Sequence, residues 1–90
     1  MMIHDDSQTK MCCAQYHVGA ACVHATLHAL PQGLGIRYAI VLEQQDQTEE
    51  CDIGCDAQIA RELFLRVVFG GVSACTLADV VEDYLGTHFT

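Results

Sequence analysis

Apolar and polar side chains alternate from Cys22 onward. Val23, Ala25, Leu27 and Ala29 fall on one face of an extended chain, and Cys22, His24, Thr26 and His28 fall on the other, which is the pattern of a half-buried strand. Residues 12–30 are also rich in alanine, with no Pro or Gly between Ala20 and Leu30, so a helix over this stretch stays open beside the strand. Pro31, Gln32 and Gly33, reinforced by Gly35, predict a turn. Residues 36–43 then resume the two-residue period, with Ile36, Tyr38, Ile40 and Leu42 in step. The tract 44–50 is polar throughout and reads as a longer loop, after which Cys51 and Ile53 alternate with Asp52 in a third short strand.

Beyond Asp56 the period changes. Ile59, Ala60, Leu63, Phe64, Val67 and Val68 recur at helical spacing, with Asp56 as the predicted cap and Gly70-Gly71 as the stop. Leu65 and Phe69 lie off this stripe, so the helix is apolar over more than half its girth and is expected to be covered on two sides, by another helix or another subunit. Thr76 and Asp79 have the spacing of a capping box. Leu77, Val80, Val81, Tyr84 and Leu85 then form an apolar stripe ending at Gly86, which predicts a short final helix. Residues 1–10 show neither period and are expected to be a flexible leader to a single domain over 11–90. The expected architecture is α+β: a three-stranded antiparallel sheet, four-stranded if residues 12–18 join it, followed by two helices on one face.

Ninety residues, 51% of them apolar, suffice for one core but not for a large enclosed substrate cavity as well, so a reaction would have to run in a shallow cleft. Four Lys and Arg against twelve Asp and Glu give a formal charge of −8. Such a field repels phosphate backbones and anionic headgroups, so nucleic acid and membrane surfaces are poor partners. The chain has no apolar run of transmembrane length, and Asp5 and Asp6 stand where an export signal would carry positive charge. A cytoplasmic setting is therefore expected, and the six cysteines are read as reduced thiols.

Thiolate and imidazole are zinc's preferred ligands, which makes Cys51, Cys55, His24 and His28 the candidate metal set. Each pair is four residues apart. On a strand that spacing is about 13 Å, too far to share one ion, whereas a helix would bring the histidines together. The plainer reading makes Cys12, Cys22, Cys51 and Cys75 small buried hydrophobes and the histidines surface residues. Cys55 sits at a helix start, where the dipole favours a thiolate, but Asp52 and Asp56 oppose that effect. A cysteine or Ser73 could be joined on paper to a histidine and an aspartate, yet no G-x-S-x-G, H-E-x-x-H or phosphate-binding glycine loop is present. No catalytic or cofactor-binding residue is assigned.

Thr76-Leu77-Ala78-Asp79-Val80-Val81-Glu82-Asp83-Tyr84-Leu85, with Arg37-Tyr38-Ala39-Ile40 and Asp52-Ile53 before it, resembles a family of short uncharacterised bacterial proteins, mainly from Firmicutes. Members of that family, a domain of unknown function, end in a D-V-V-E-D-[F/Y]-L helix. The similarity spans about residues 36–85. Ala39 stands where the family has glycine and Gly54 where it has serine. The resemblance implies the order strand, strand, helix, helix and a cytosolic setting, and carries no activity. Asp79, Glu82 and Asp83 fall in its motif and are the candidate interaction residues, although a cap and a solvated face explain them equally well. The expected function is a protein-interaction or regulatory module that forms a homodimer or binds another protein. The alternatives are a metal- or redox-responsive module holding zinc and a small cysteine-dependent enzyme.

Overall fold

A computed structural model describes residues 9–89, with side chains for residues 10–86. Four strands, β1 (Thr9–Val18), β2 (Ala21–Gln32), β3 (Gly35–Gln44) and β4 (Gln47–Gly54), precede helix α1 (Ala57–Gly70), a 3₁₀ turn (Ala74–Thr76) and helix α2 (Leu77–Phe89). The strands form one antiparallel sheet in the order β1-β2-β3-β4. Residues 12–30 are thus a hairpin rather than a helix, and 12–18 belong to the fourth strand. Residues 1–8 of the expected leader lie outside the described residues, whereas Thr9 and Lys10 already belong to β1.

All three hairpin turns are two residues long, and each has a positive φ at its first central position: Gly19 at 61°, Gly33 at 59° and Gln45 at 55°. That geometry matches the twist of the flanking strands. The first two turns meet it with glycine, and the third forces a side-chain-bearing residue into the left-handed region. Two expectations shift here. The first turn after β2 is Gly33-Leu34, with Pro31 still in the ladder opposite Ile36. The polar tract 44–50 is a tight turn at Gln45-Asp46 followed by the start of β4, with Gln44 opposite Gln47 and Leu42 opposite Glu49. An edge strand at the rim buries little, so its residues carry no apolar period.

Register places Val23, Ala25 and Leu27 on the same face as Leu42 and Ile40, and all five are fully buried. Cys12, Ala14 and Tyr16 of β1 and Ile53 of β4 join them. Both helices cover this face: α1 lies over β1, β2 and β3, and α2 over β4. Helix α1 starts where Asp56 Oδ1 accepts from the Gln58 and Ile59 amides at 2.9 and 3.1 Å. It ends in a Schellman motif, with the Gly71 amide donating to Val68 O and the Val72 amide to Val67 O. Leu63, Phe64 and Val67 point into the core, as do Leu77, Val81 and Tyr84 of α2.

Helix α2 begins at Leu77, directly after Thr76 as expected, with the Thr76 hydroxyl donating to Ser73 O at 3.2 Å, but its end differs from expectation. Gly86 lies within the helix, which runs on to Phe89; interior glycine costs only about 1 kcal/mol against alanine, which packing of the apolar stripe outweighs. Two anchors tie the linker after α1 to the sheet. Tyr16 Oη donates to Val72 O at 2.7 Å, and the Ala74 amide donates to Gln44 Oε1 at 2.9 Å.

The strained turn gives a direct test. Gln45→Gly should raise stability by about 0.5–1 kcal/mol, a few °C in Tm for a domain of this size, measured by thermal denaturation followed by circular dichroism. Gly33→Ala, which introduces the same strain, should lower it by a similar amount.

Candidate interaction surfaces

The residues singled out for metal binding are not brought together. His24 and His28 project from β2 on the face without helices, while Cys51 packs against the core cluster on the other face. Cys55 lies exposed in the turn before α1. Because β2 is a strand, the two histidines are also separated along it by about 13 Å. Among the described residues, no three His, Cys, Asp or Glu side chains are placed to hold an ion. Of the cysteines read as buried hydrophobes, Cys12, Cys22 and Cys51 are half-buried, but Cys75 is exposed; it sits at the outer side of the 3₁₀ turn. Burial pushes the Cys51 thiol up, and the nearby Asp52 and Glu82 carboxylates push it the same way, which holds it protonated and makes it a poor nucleophile.

The open face of the sheet mixes polar and apolar side chains, with Cys22, Leu30, Ala39 and Val41 standing among His24, Thr26, His28, Arg37 and Glu43. Arg37 forms a two-pronged pair with Asp52, Nε to Oδ2 and Nη2 to Oδ1, both at 2.9 Å. Asp52 Oδ1 also accepts from the Gly54 amide at 2.9 Å, closing the end of β4 where the ladder slips between Tyr38 and Ala39. The Arg37 guanidinium holds the Asp52 carboxyl below its usual range, and the Gly54 amide lowers it further. Gln15 Nε2 reaches Cys22 Sγ at 2.9 Å, and His24 stands opposite Glu43. His28 Nδ1 is buried without a hydrogen-bond partner.

Apolar exposure lies elsewhere, around α1. Leu65 and Phe69 are 50% and 84% exposed, so the second cover expected for this helix is not supplied by the described residues of the chain. They form the ridge between two grooves. One, of about 350 Å³, runs between α1 and β1 and is lined by Cys12, Cys13, Ala14, Arg61, Phe64, Leu65, Val68 and Phe69. The other, of about 410 Å³, lies between α1 and α2 against Glu62, Arg66 and Tyr84. In the second groove Tyr84 Oη donates to Glu62 Oε1 at 2.9 Å, and the Arg66 guanidinium lies 5.1 Å from the Tyr84 ring centroid.

The sheet has two edges of opposite character. β4 and the turn before it carry Asp46, Glu49, Glu50 and Asp52, with the exposed Asp79, Glu82 and Asp83 of α2 on the helix above. Asp79 is in the first turn of α2, where the dipole favours it. β1 runs Met11-Cys12-Cys13-Ala14-Gln15-Tyr16 without a charge or a proline and pairs only with β2 among the described residues. Three of the four Lys and Arg residues, Lys10, Arg61 and Arg66, line hollows around β1 and α1. The edge character of β1 had no sequence signal, because it depends on strand order; the off-stripe Leu65 and Phe69 were the visible part of this surface.

Comparison with protein-family models, with curated proteins and with solved structures finds no match to this chain.

Two outcomes follow from the charges. Asp52 has a lowered pKa in the folded state, so its pairing stabilises the protein above the ordinary carboxylate range and is lost as pH falls through the folded value. Asp52→Asn should therefore lower Tm at pH 7, with the gap to wild type closing as the pH is taken below about 4. In timed iodoacetamide labelling at pH 7.5, Cys51 should react more slowly than the exposed Cys13, Cys55 and Cys75; an equal or faster rate would contradict the raised thiol.

Proposed function

We propose that this chain is a small cytosolic protein-interaction module, regulatory rather than catalytic, that works by self-association. The observation that carries the reading is the contrast between the two sheet edges. Natural sheets blunt an edge that must stay free with charge, proline or bulges. β4 carries Glu49, Glu50 and Asp52 along its length, whereas β1 has its one Lys or Arg, Lys10, and its register slip, between Lys10 and Cys12, together at its start, and no acid or proline anywhere. An apolar groove with the exposed Leu65 and Phe69 runs beside it. Contiguous apolar exposure of this kind marks interaction sites.

The other features of the molecule support the same reading. Among the described residues, no helix is long and apolar enough to cross a membrane. All six cysteines are free thiols, as suits a reducing compartment, and the family resemblance carried by residues 76–85 implies the same setting. The acidic Asp79, Glu82 and Asp83 serve in this reading as a solvated, repulsive rim. The metal-responsive alternative draws no support from the described residues, among which no three His, Cys, Asp or Glu side chains converge.

Native mass spectrometry of protein purified under reducing conditions, before and after EDTA, tests this. The expected result is an ion series at twice the 9.8 kDa chain mass, unchanged by chelation. A monomer, or a stoichiometric zinc whose loss unfolds the chain, would overturn the reading.

A further inference from the structure

We infer that two copies of the chain join through β1, edge to edge about a two-fold axis, giving one eight-stranded antiparallel sheet with α1 of each copy facing its mate across the junction. The inference rests on the self-association reading and assigns it a surface and a geometry. A strand that pairs with its own copy about a two-fold axis does so antiparallel, which is the pairing used throughout this sheet. β1 supplies ten residues of edge, about 33 Å of backbone. With a sheet layer about 10 Å deep along that edge and a 14-residue α1, about 21 Å long, as the second layer, the contact covers about 540 Å² on each copy, just under the standard size for interfaces.

For two copies of this chain, electrostatics disfavours the β4 edge and leaves β1. A protein of formal charge −8 repels its own copy wherever the acidic groups meet. Pairing through β4 would bring Glu49 and Glu50 of both copies within a strand spacing or two of each other. Pairing through β1 sends the two β4 strands to opposite ends of the assembly, seven strand spacings or about 34 Å apart, against a screening length of about 8 Å in physiological salt. At the junction lie Lys10 and Arg61 instead, with no described carboxylate on β1.

The groove fixes where the axis falls. Its β1 wall is Cys12, Cys13 and Ala14, and its α1 wall includes Leu65 and Phe69. Centring the two-fold on Cys13 places Cys12 opposite Ala14 of the mate and brings the two Leu65–Phe69 ridges together over the junction. Cys13 points to the open face, opposite Thr26 in the sheet, so in the pair the two Cys13 side chains are directly opposed cross-strand neighbours.

Sedimentation equilibrium under reducing conditions on wild type, Leu65→Glu/Phe69→Glu and Leu34→Glu tests the surface. All three positions are exposed in the single chain, so circular dichroism should be unchanged in each variant. The expected result is a dimer for wild type and for Leu34→Glu, with dimer dissociation roughly 100-fold or more easier in the double variant. A double variant that dimerises as tightly as wild type overturns this surface while leaving self-association standing. A wild type that is monomeric throughout overturns both. As a second measurement, the thiol oxidant diamide should link wild type into a reducible dimer, and Cys13→Ser should link much more slowly. Equal linking would overturn the placement of the axis.

Discussion

The register between β2 and β3 decides the rest of the structure. Leu27 stands opposite Ile40 and Ala25 opposite Leu42, so the four form one continuous apolar surface with Val23, and each is fully buried. A slip of one residue would turn His24, Thr26 and His28 inward and expose the core set. Two-residue turns with a left-handed first position hold the register at both ends of β3. Once that face is set, α1 and α2 have one place to bury their stripes, and the opposite face is left without a helix layer. Its Arg37–Asp52 pair and its polar side chains suit that exposure.

The connection between the helices sets what remains uncovered. Tyr16 of β1 and Gln44 of β3 hold the backbone of Val72 and Ala74, which fixes the linker after α1 against the sheet. Ala60, Leu63 and Val67 are then spent on the core, and Leu65 and Phe69 are left on the outer ridge beside β1. An antiparallel meander always has two edges. Here acid guards β4, while β1 carries Lys10, Gln15 and His17 among apolar residues and no acid, with Arg61 beside it. The molecule, 41 × 39 × 16 Å in extent, is a thin slab with one acidic rim and one without acid.

Much of this was legible in the chain because burial writes a period into sequence. The alternation of residues 22–29 and the step of Ile36, Tyr38, Ile40 and Leu42 gave β2 and β3, and the stripe from Ile59 to Val68 with Asp56 and Gly71 at its ends gave α1. What escaped was structure without an apolar period. Gln47 to Glu50 are exposed and look like loop, although they pair with β3. Gly86 resembled a stop, but tertiary packing carried α2 through it. The candidate ligands His24, His28, Cys51 and Cys55 could be grouped on paper only until the sheet put Cys51 on the opposite face from the histidines. The groove beside β1 was invisible because strand order is a property of the fold.

In the assembly proposed above, a second copy shields the backbone of the β1 rim. Hydrogen–deuterium exchange, measured over a hundredfold range of protein concentration, addresses it most directly. Amides of β1 (Thr9–Val18) should become better protected as concentration rises, while those of β4 (Gln47–Gly54) should not change. Exchange in β1 that is independent of concentration, or protection that rises in β4 instead, would contradict it.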